Sequence, residues 1–363
     1  MPATNRWRGI FMRRLSQMTI DELYDRKEQL LEELNSDEAK DWIYHEIVGV
    51  YEEICRRLSR CSIEERKEHG FEQMKKKLVQ YLIHYGTYLK TQLKKDERIA
   101  EEAFKKVLKY DHGNPIAHYR LGFLAYKKEE YAAAQCYFEK ALEYQKGYSD
   151  SEFCLNERQL YYAHLYLANS ALFVAEKTYR SLEKFPDYIS DQEKPAELSF
   201  LHEWLQRNEA ILTMQAFTKW TSSGKEYCSK EQCEQVMMDP PKNTVVLYFS
   251  DHENVVSYDG REVCLPRDPA EMLCYFLVKT NEARPATKYD MEVFFQPRQN
   301  AGILTNTFVQ KVRRLREKLR CVQVPALIDS CQFRGETAYY YNGSVDYIVM
   351  YRSDYTFLFC DEL

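Results

Sequence analysis

The densest run of chemically capable side chains lies at residues 303–320, ILTNTFVQKVRRLREKLR. Lys311, Arg313, Arg314, Arg316, Lys318 and Arg320 stand there against a single acid, Glu317. Guanidinium and ammonium groups suit phosphate: Arg offers a planar fork for bidentate contact and Lys a compact point charge. Interleaved with them are Phe308, Val312, Leu315 and Leu319, at spacings of four, three and four. That spacing puts the apolar residues on one helical face. The stretch therefore predicts an amphipathic helix whose stripe packs on a small core while its cationic face can lie in a major groove. LIDSCQFRGETAYYYN follows at once (327–342) and reads as a short hairpin with Arg334-Gly335 near its tip. The bland alternative is a solvated helix face, the usual role of charge runs.

Other chemistries have no such signature. No G-x-x-x-x-G-K-[ST] or G-x-G-x-x-G loop is present to cradle phosphate, and there is no H-E-x-x-H or G-x-S-x-G. His84, His112, His118, His164, His202 and His252 are isolated. The acid pairs Glu101-Glu102 and Glu129-Glu130 sit beside lysines and read as solvated faces. The eleven cysteines include no C-x-x-C, and Cys228/Cys233 lack a second pair or nearby histidines, so zinc is not expected. No catalytic residue, metal or cofactor is expected, and the chain reads as a non-enzyme. Its formal net charge is −5. Any nucleic-acid surface must therefore be local. Met1–Arg14 is basic but lacks the apolar core of a signal peptide, and no stretch approaches the roughly 20 apolar residues of a membrane span. The ending Cys360-Asp361-Glu362-Leu363 carries little weight without an entry signal. The expectation is a cytoplasmic chain with reduced thiols and no membrane partner.

The elements around the cationic run follow an order that resembles the DNA-binding domain of the OmpR/PhoB family of regulators, over residues 244–343. Thr244–Ser250 and Asn254–Pro266 supply strands, with Asp259-Gly260 as a two-residue turn. A helix follows from Asp268 to about Thr280, with Asp268 as cap, Pro269 at its first position, and Met272, Leu273, Phe276 and Leu277 facing inward. A second helix is predicted from near Thr287 through Met291 and Phe294-Phe295, then the loop 296–302. Asn306–Leu319, NTFVQKVRRLREKL, matches the family's recognition helix best at Arg314-Leu315-Arg316-x-Lys318-Leu319. The resemblance implies a winged helix-turn-helix in which Asn306, Lys311, Arg313, Arg314 and Arg316 contact DNA and Arg334 tips the wing. The chain departs from the family in Asn306 and Val309, which replace an Arg and an Asp. Its wing, Arg334-Gly335-Glu336-Thr337-Ala338-Tyr339, is one residue longer and lacks the second Gly. No receiver domain is evident in the rest of the chain.

Residues 19–220 read as helix after helix, expected at 19–35, 38–59, 63–91, 96–110, 115–127, 131–145, 155–183 and 193–218, with Thr19 capping the first. Residues 115–141 resemble a tetratricopeptide repeat: Leu121-Gly122 holds its Leu-Gly pair, and Ala134, Phe138 and Ala141 its second-helix positions. Thirty-four residues earlier, Ala100, Phe104 and Val107 echo the second helix. The resemblance implies a solenoid of four to six helix pairs that binds a peptide or protein effector on its concave side, where Tyr85, Asn114, His118, Tyr119 and Arg120 are expected.

The fold expected is thus mainly α: a tetratricopeptide-like solenoid (19–220) after an N-terminal extension (1–18), then a linker (221–243), an α+β winged helix (244–343) and a C-terminal β-hairpin tail (344–363). The function expected is a transcriptional regulator that binds double-stranded DNA and an effector; a homodimer stays open. The alternative is a scaffold whose winged helix no longer binds DNA.

Overall fold

The computed structural model describes residues 15–34, 41–91, 97–148, 153–181, 199–250, 253–291, 305–355 and 357. They divide into two compact units, one from Met1–Lys90 and Lys95–Asn156, the other mainly from Glu157–Leu363.

The first unit is helical: α1 (Ile20–Leu34), α2 (Asp41–Leu58), α3 (Ile63–Glu68), α4 (Phe71–Thr91), α5 (Glu97–Tyr110), α6 (Pro115–Lys127) and α7 (Tyr131–Gln145). Local chemistry sets the starts. Thr19 Oγ1 accepts from the Glu22 amide at 3.2 Å while the Glu22 carboxylate accepts from the Thr19 amide at 2.6 Å. Ser62 and Glu65 repeat this reciprocal capping at α3. Asn114 caps α6, and Pro115 occupies the first turn, where its missing N–H has no acceptor to lose. One expectation is corrected here. The single helix predicted over 63–91 is broken at His69-Gly70, because Gly70 adopts φ +60° and ends α3.

Leu23 and Leu30 of α1, Ile47, Val50, Ile54 and Leu58 of α2 and Leu78 and Leu82 of α4 form the core of this unit. Two close approaches recur in it. A Cβ at Gly122 of α6 would sit 2.9 Å from the Phe138 ring of α7, and a Cβ at Gly86 of α4 would sit 2.9 Å from the Phe104 ring of α5. Each glycine lets a phenylalanine of the following helix lie against bare backbone. Both phenylalanines are fully buried.

The second unit is built on a six-stranded mixed sheet, in the order β2-β1-β8-β3-β4-β5. Its strands are β1 (Phe217–Thr221), β2 (Gly224–Cys228), β3 (Thr244–Phe249), β4 (Asn254–Tyr258), β5 (Arg261–Leu265) and β8 (Asp346–Arg352). β3 and β8 run parallel, and the other pairs in this sheet are antiparallel. A separate hairpin joins β6 (Ile328–Phe333) to β7 (Glu336–Tyr341). The helices are α8 (Glu157–Arg180), α9 (Ser199–Met214), α10 (Lys230–Met238), α11 (Arg267–Lys279) and α12 (Thr305–Cys321). Both faces of the sheet are covered. Val245, Leu247, Phe249, Val349 and Tyr351 pack with Leu273 and Phe276 of α11 and Phe308, Val312 and Leu315 of α12. On the other face Val246, Tyr248, Ile348 and Met350 pack with Phe217, Cys228 and Cys233. The central parallel pair is therefore apolar on both sides, as burial of a sheet on two faces requires.

Five boundaries differ from the sequence reading. The helical domain expected over 19–220 ends at Asn156. α8 belongs with the sheet because Arg158 donates to Thr218 Oγ1 (3.1 Å) and the Ser353 carbonyl (3.3 Å), and Tyr162 donates to the Gln215 carbonyl (2.7 Å). The helix predicted to reach 218 stops at Met214, and Phe217 begins β1. The linker expected at 221–243 is folded: Thr221 and Gly224 are paired at the end of the β1–β2 hairpin, and Ser229 caps α10. The tail expected as an added hairpin supplies β8, one strand between β1 and β3, because its Tyr-Ile-Val-Met-Tyr run buries side chains on both faces. Finally, α11 starts one residue before the expected Asp268 cap, with Arg267 Nε donating to Glu271 Oε1 at 2.6 Å within it.

Candidate nucleic-acid interface

α12 is anchored through its stripe. Phe308 and Val312 are fully buried, Leu315 and Leu319 nearly so, and the Phe308 ring meets Tyr339 of β7 edge-on at 5.2 Å. At 100° per residue the cations divide between the two edges of the outer face. Arg316, Arg320 and Arg313 lie along one edge and Lys311, Lys318 and Arg314 along the other, with Gln310 and Glu317 between. Arg313, Arg314, Lys318 and Arg320 are exposed, and Lys311 is half-buried. Arg313 Nε donates to Glu317 Oε1 at 2.9 Å, one turn on, so part of its charge is met within the helix. Asn306 lies in the first turn of α12, and its side chain is outside the described residues.

Arg316 has a different position from the other cations. Its Nη2 donates to the Ile328 carbonyl at 2.6 Å and its guanidinium lies 5.2 Å over the Tyr339 ring. That side chain ties the helix to the β6–β7 hairpin. It does not project outward with Arg313 and Arg314, contrary to its expected place among the outward contacts. Burial raises the Tyr339 hydroxyl pKa and the Arg316 charge partly offsets this.

The expected hairpin tip is present. Arg334 (φ +51°) and Gly335 (φ +81°) are the two central residues between paired Phe333 and Glu336. Positive φ at both is the mirror-image type I turn that matches strand twist. Arg334 is exposed and its guanidinium lies 5.2 Å over the ring of Phe333. Asp259-Gly260 makes the same kind of turn between β4 and β5, as expected.

Sequence reasoning missed the contacts that hold the hairpin. Ala286 exchanges two backbone hydrogen bonds with Tyr339 (2.7 and 2.9 Å), and the Tyr341 amide donates to Thr280 Oγ1 at 3.0 Å. Lys288 Nζ lies 3.0 Å from Glu336 Oε1, which holds the ammonium pKa above its ordinary value. The signal available was Thr287-x-x-Asp290, a self-capping turn in which the Thr287 amide and hydroxyl both donate to Asp290 Oδ2. The second helix expected from near Thr287 does not start there, because residues 287–291 form this turn; the rest of the expected helix lies outside the described residues.

The effector residues expected on a concave face fare differently. Tyr85 borders an open cleft with His45, Glu52 and Lys106, where Lys106 pairs with Glu52 at 2.8 Å. The other four are buried. Asn114 is spent on capping, accepting from the Ala117 amide at 3.0 Å and donating to Asp111 at 2.8 Å. His118 stacks on Tyr144 at 5.4 Å and its Nε2 lies 3.0 Å from the His112 carbonyl; burial lowers its pKa. Tyr119 is core, edge-on to Phe138 at 5.9 Å, and the Arg120 guanidinium lies 5.6 Å over Tyr119. Their helix, α6, is buried around most of its circumference, so its first turns do not line an open groove.

Among the described residues no group of three or more His, Cys, Asp or Glu is placed to hold a metal, and no helix is long and apolar enough to cross a membrane. In comparisons with protein-family models, curated proteins and solved structures, nothing matches this chain.

Proposed function

We propose that the chain is a DNA-binding transcriptional regulator of winged-helix type. The observation that supports it is an exposed cationic helix face, seated on its own core next to an arginine-tipped hairpin, in a chain that is acidic overall. α12 enters the major groove. Lys311, Arg313 and Arg314 meet phosphates and base edges, Asn306 stands at the entering end, and Arg334 reaches the adjacent minor groove. Arg316 holds the helix against the hairpin. Phosphate contacts set register, and base-edge contacts set preference. The first unit, with its repeated Gly–Phe helix pairs, acts as a tetratricopeptide-like docking domain for a peptide or protein effector.

The test is an electrophoretic mobility shift on pooled genomic duplex fragments at two salt concentrations. The expected result is retardation that weakens steeply with salt, because each neutralised phosphate releases counterions. Absence of retardation at low salt, with protein above about 100 μM, the weak end of non-specific binding, overturns the reading. A non-enzymatic scaffold is the second reading. It is favoured by the Arg313–Glu317 pair and the internal use of Arg316, which both reduce the charge α12 offers.

A further inference from the structure

Cys228 is the last residue of β2 and Cys233 lies in the second turn of α10, on opposite sides of the Ser229 cap. Their sulfurs are 3.4 Å apart, both are buried, and both are free thiols. A disulfide needs about 2.05 Å between sulfurs. Side-chain rotation and a small backbone shift must therefore close roughly 1.3 Å. The two sulfurs lie under one edge of the sheet, against Phe217, Val246 and Met350.

We infer that Cys228 and Cys233 form a reversible dithiol/disulfide couple, a modification site for a peroxide oxidant. Either sulfur can donate its S–H to the other; with Cys233 as the donor, the bond favours a thiolate at Cys228, Lys219 adds to this, and the same bond and burial raise Cys233. Cys228 is thus the attacking sulfur and Cys233 the resolving one. The Cys228 thiolate attacks the peroxide, an S–O bond forms as the O–O bond breaks, and the departing hydroxide takes up the proton that the Cys228 thiol released and leaves as water. Cys228 is then a sulfenic acid. The Cys233 sulfur attacks it, the S–S bond forms as the S–O bond breaks, and the hydroxide departs as water with the Cys233 proton. Two thiols and one peroxide become one disulfide and two waters.

Access comes from the position of the pair. β2 is an edge strand exposed from Gly224 to Tyr227, and α10 is only nine residues long. Local opening of such an element is easier than global unfolding. The bond fastens the edge strand to α10, which covers the face of the sheet opposite α12. It does not depend on whether α12 binds DNA.

The test uses the full chain, reduced and freed of reductant, then treated with hydrogen peroxide. The thiols are alkylated in denaturant and mapped by mass spectrometry after digestion. The expected result is loss of both alkylatable thiols at Cys228 and Cys233, with a peptide linking them that dithiothreitol cleaves. In the Cys233→Ser variant, dimedone should trap a sulfenic acid at Cys228. The inference is overturned if Cys228 and Cys233 stay alkylatable at a dose that consumes the exposed Cys264 and Cys321, or if Cys228 is oxidised in the unaltered chain without joining Cys233. The map of the unaltered chain decides the matter even if the variant does not fold.

Discussion

Arg314 and Arg316 lie two residues apart on one cationic helix, yet replacing each with alanine should give opposite phenotypes. Arg316 donates to the Ile328 carbonyl at 2.6 Å and lies over Tyr339. A hydrogen bond from a charged donor contributes about 1.5–3 kcal/mol. A cation–π contact at a partly exposed site adds about 0.5–1 kcal/mol. The side chain is only half-buried, so water can re-solvate the carbonyl after truncation and the lower ends apply. Arg316→Ala should therefore remove about 2 kcal/mol, equivalent to a melting-midpoint drop of about 4–8 °C for a unit of this size. The salt dependence of DNA binding should stay as it was. Arg314 is exposed, and its replacement should change stability by less than about 0.5 kcal/mol. If it meets one phosphate, the slope of log K against log salt should fall by about 0.9. Thermal melts and anisotropy titrations of a labelled duplex across a salt series read both quantities on the same samples. A flattened salt slope for Arg316→Ala with an unchanged midpoint would refute the division of labour. Unaltered slopes for both Arg314→Ala and Arg334→Ala would remove the groove-facing role of the helix.

Gly122→Ala places a methyl 2.9–3.0 Å from three atoms of the Phe138 ring, which is itself buried against Tyr119. Overpacking of about 1–3 kcal/mol exceeds the roughly 1 kcal/mol that alanine gains in a helix, so urea denaturation should show net destabilisation. In a Phe138→Leu background the same change should become stabilising, and additivity of the two changes would argue against the close approach. Val349→Asp puts a carboxylate at a fully buried position of β8. It should abolish the cooperative transition of the sheet unit by near-UV circular dichroism; a well-folded variant would contradict a central β8. His118 is held neutral by burial, so the folded state binds its proton less tightly than the unfolded state, whose pKa is about 6.5. Its contribution is fully present above that value and is lost as pH falls below it. His118→Phe should flatten the fall in midpoint between pH 7 and pH 5, and an equally steep fall would assign the dependence to other groups.

The helices of the first unit were legible because their signals are local. Thr19 was read as a cap and lies within a turn of the amide it satisfies, whereas the caps at Ser62 and Asn114 were not read from the sequence, and the 3.6-residue periodicity of Leu23, Leu30, Ile47 and Ile54 marks the buried faces. The hairpins at Asp259-Gly260 and Arg334-Gly335 were legible for the same reason, since a two-residue turn with positive φ carries its own signature. The sheet's centre was not. Nothing within residues 346–352 says that they pair with 217–221 on one side and 244–249 on the other, across more than a hundred residues of chain in the first case. A continuous apolar run is compatible with a hairpin arm or a central strand, and only its partners decide. The stretch TSSG was ambiguous in a related way, because polar residues before a glycine serve a free hinge and a tight β1–β2 turn equally well.

The same limit governs the interface. Composition treats Lys311, Arg313, Arg314 and Arg316 as equivalents, and a helical wheel separates them only by angle. Arg316 lies about 80° from Phe308 at 100° per residue, close enough to the apolar stripe for its long side chain to fold toward the protein. Whether it does so depends on an acceptor twelve residues away, the Ile328 carbonyl where the hairpin begins. A charge count on α12 therefore overstates what the helix offers a ligand. Arg316 is held by that carbonyl and by Tyr339, and Arg313 shares its charge with Glu317. Any anion that docks on this face must first compete with Glu317 for Arg313. Replacing that glutamate with glutamine would leave shape nearly intact while releasing a positive charge, so the scaffold and DNA-binding readings part most sharply at an acidic residue rather than at a basic one.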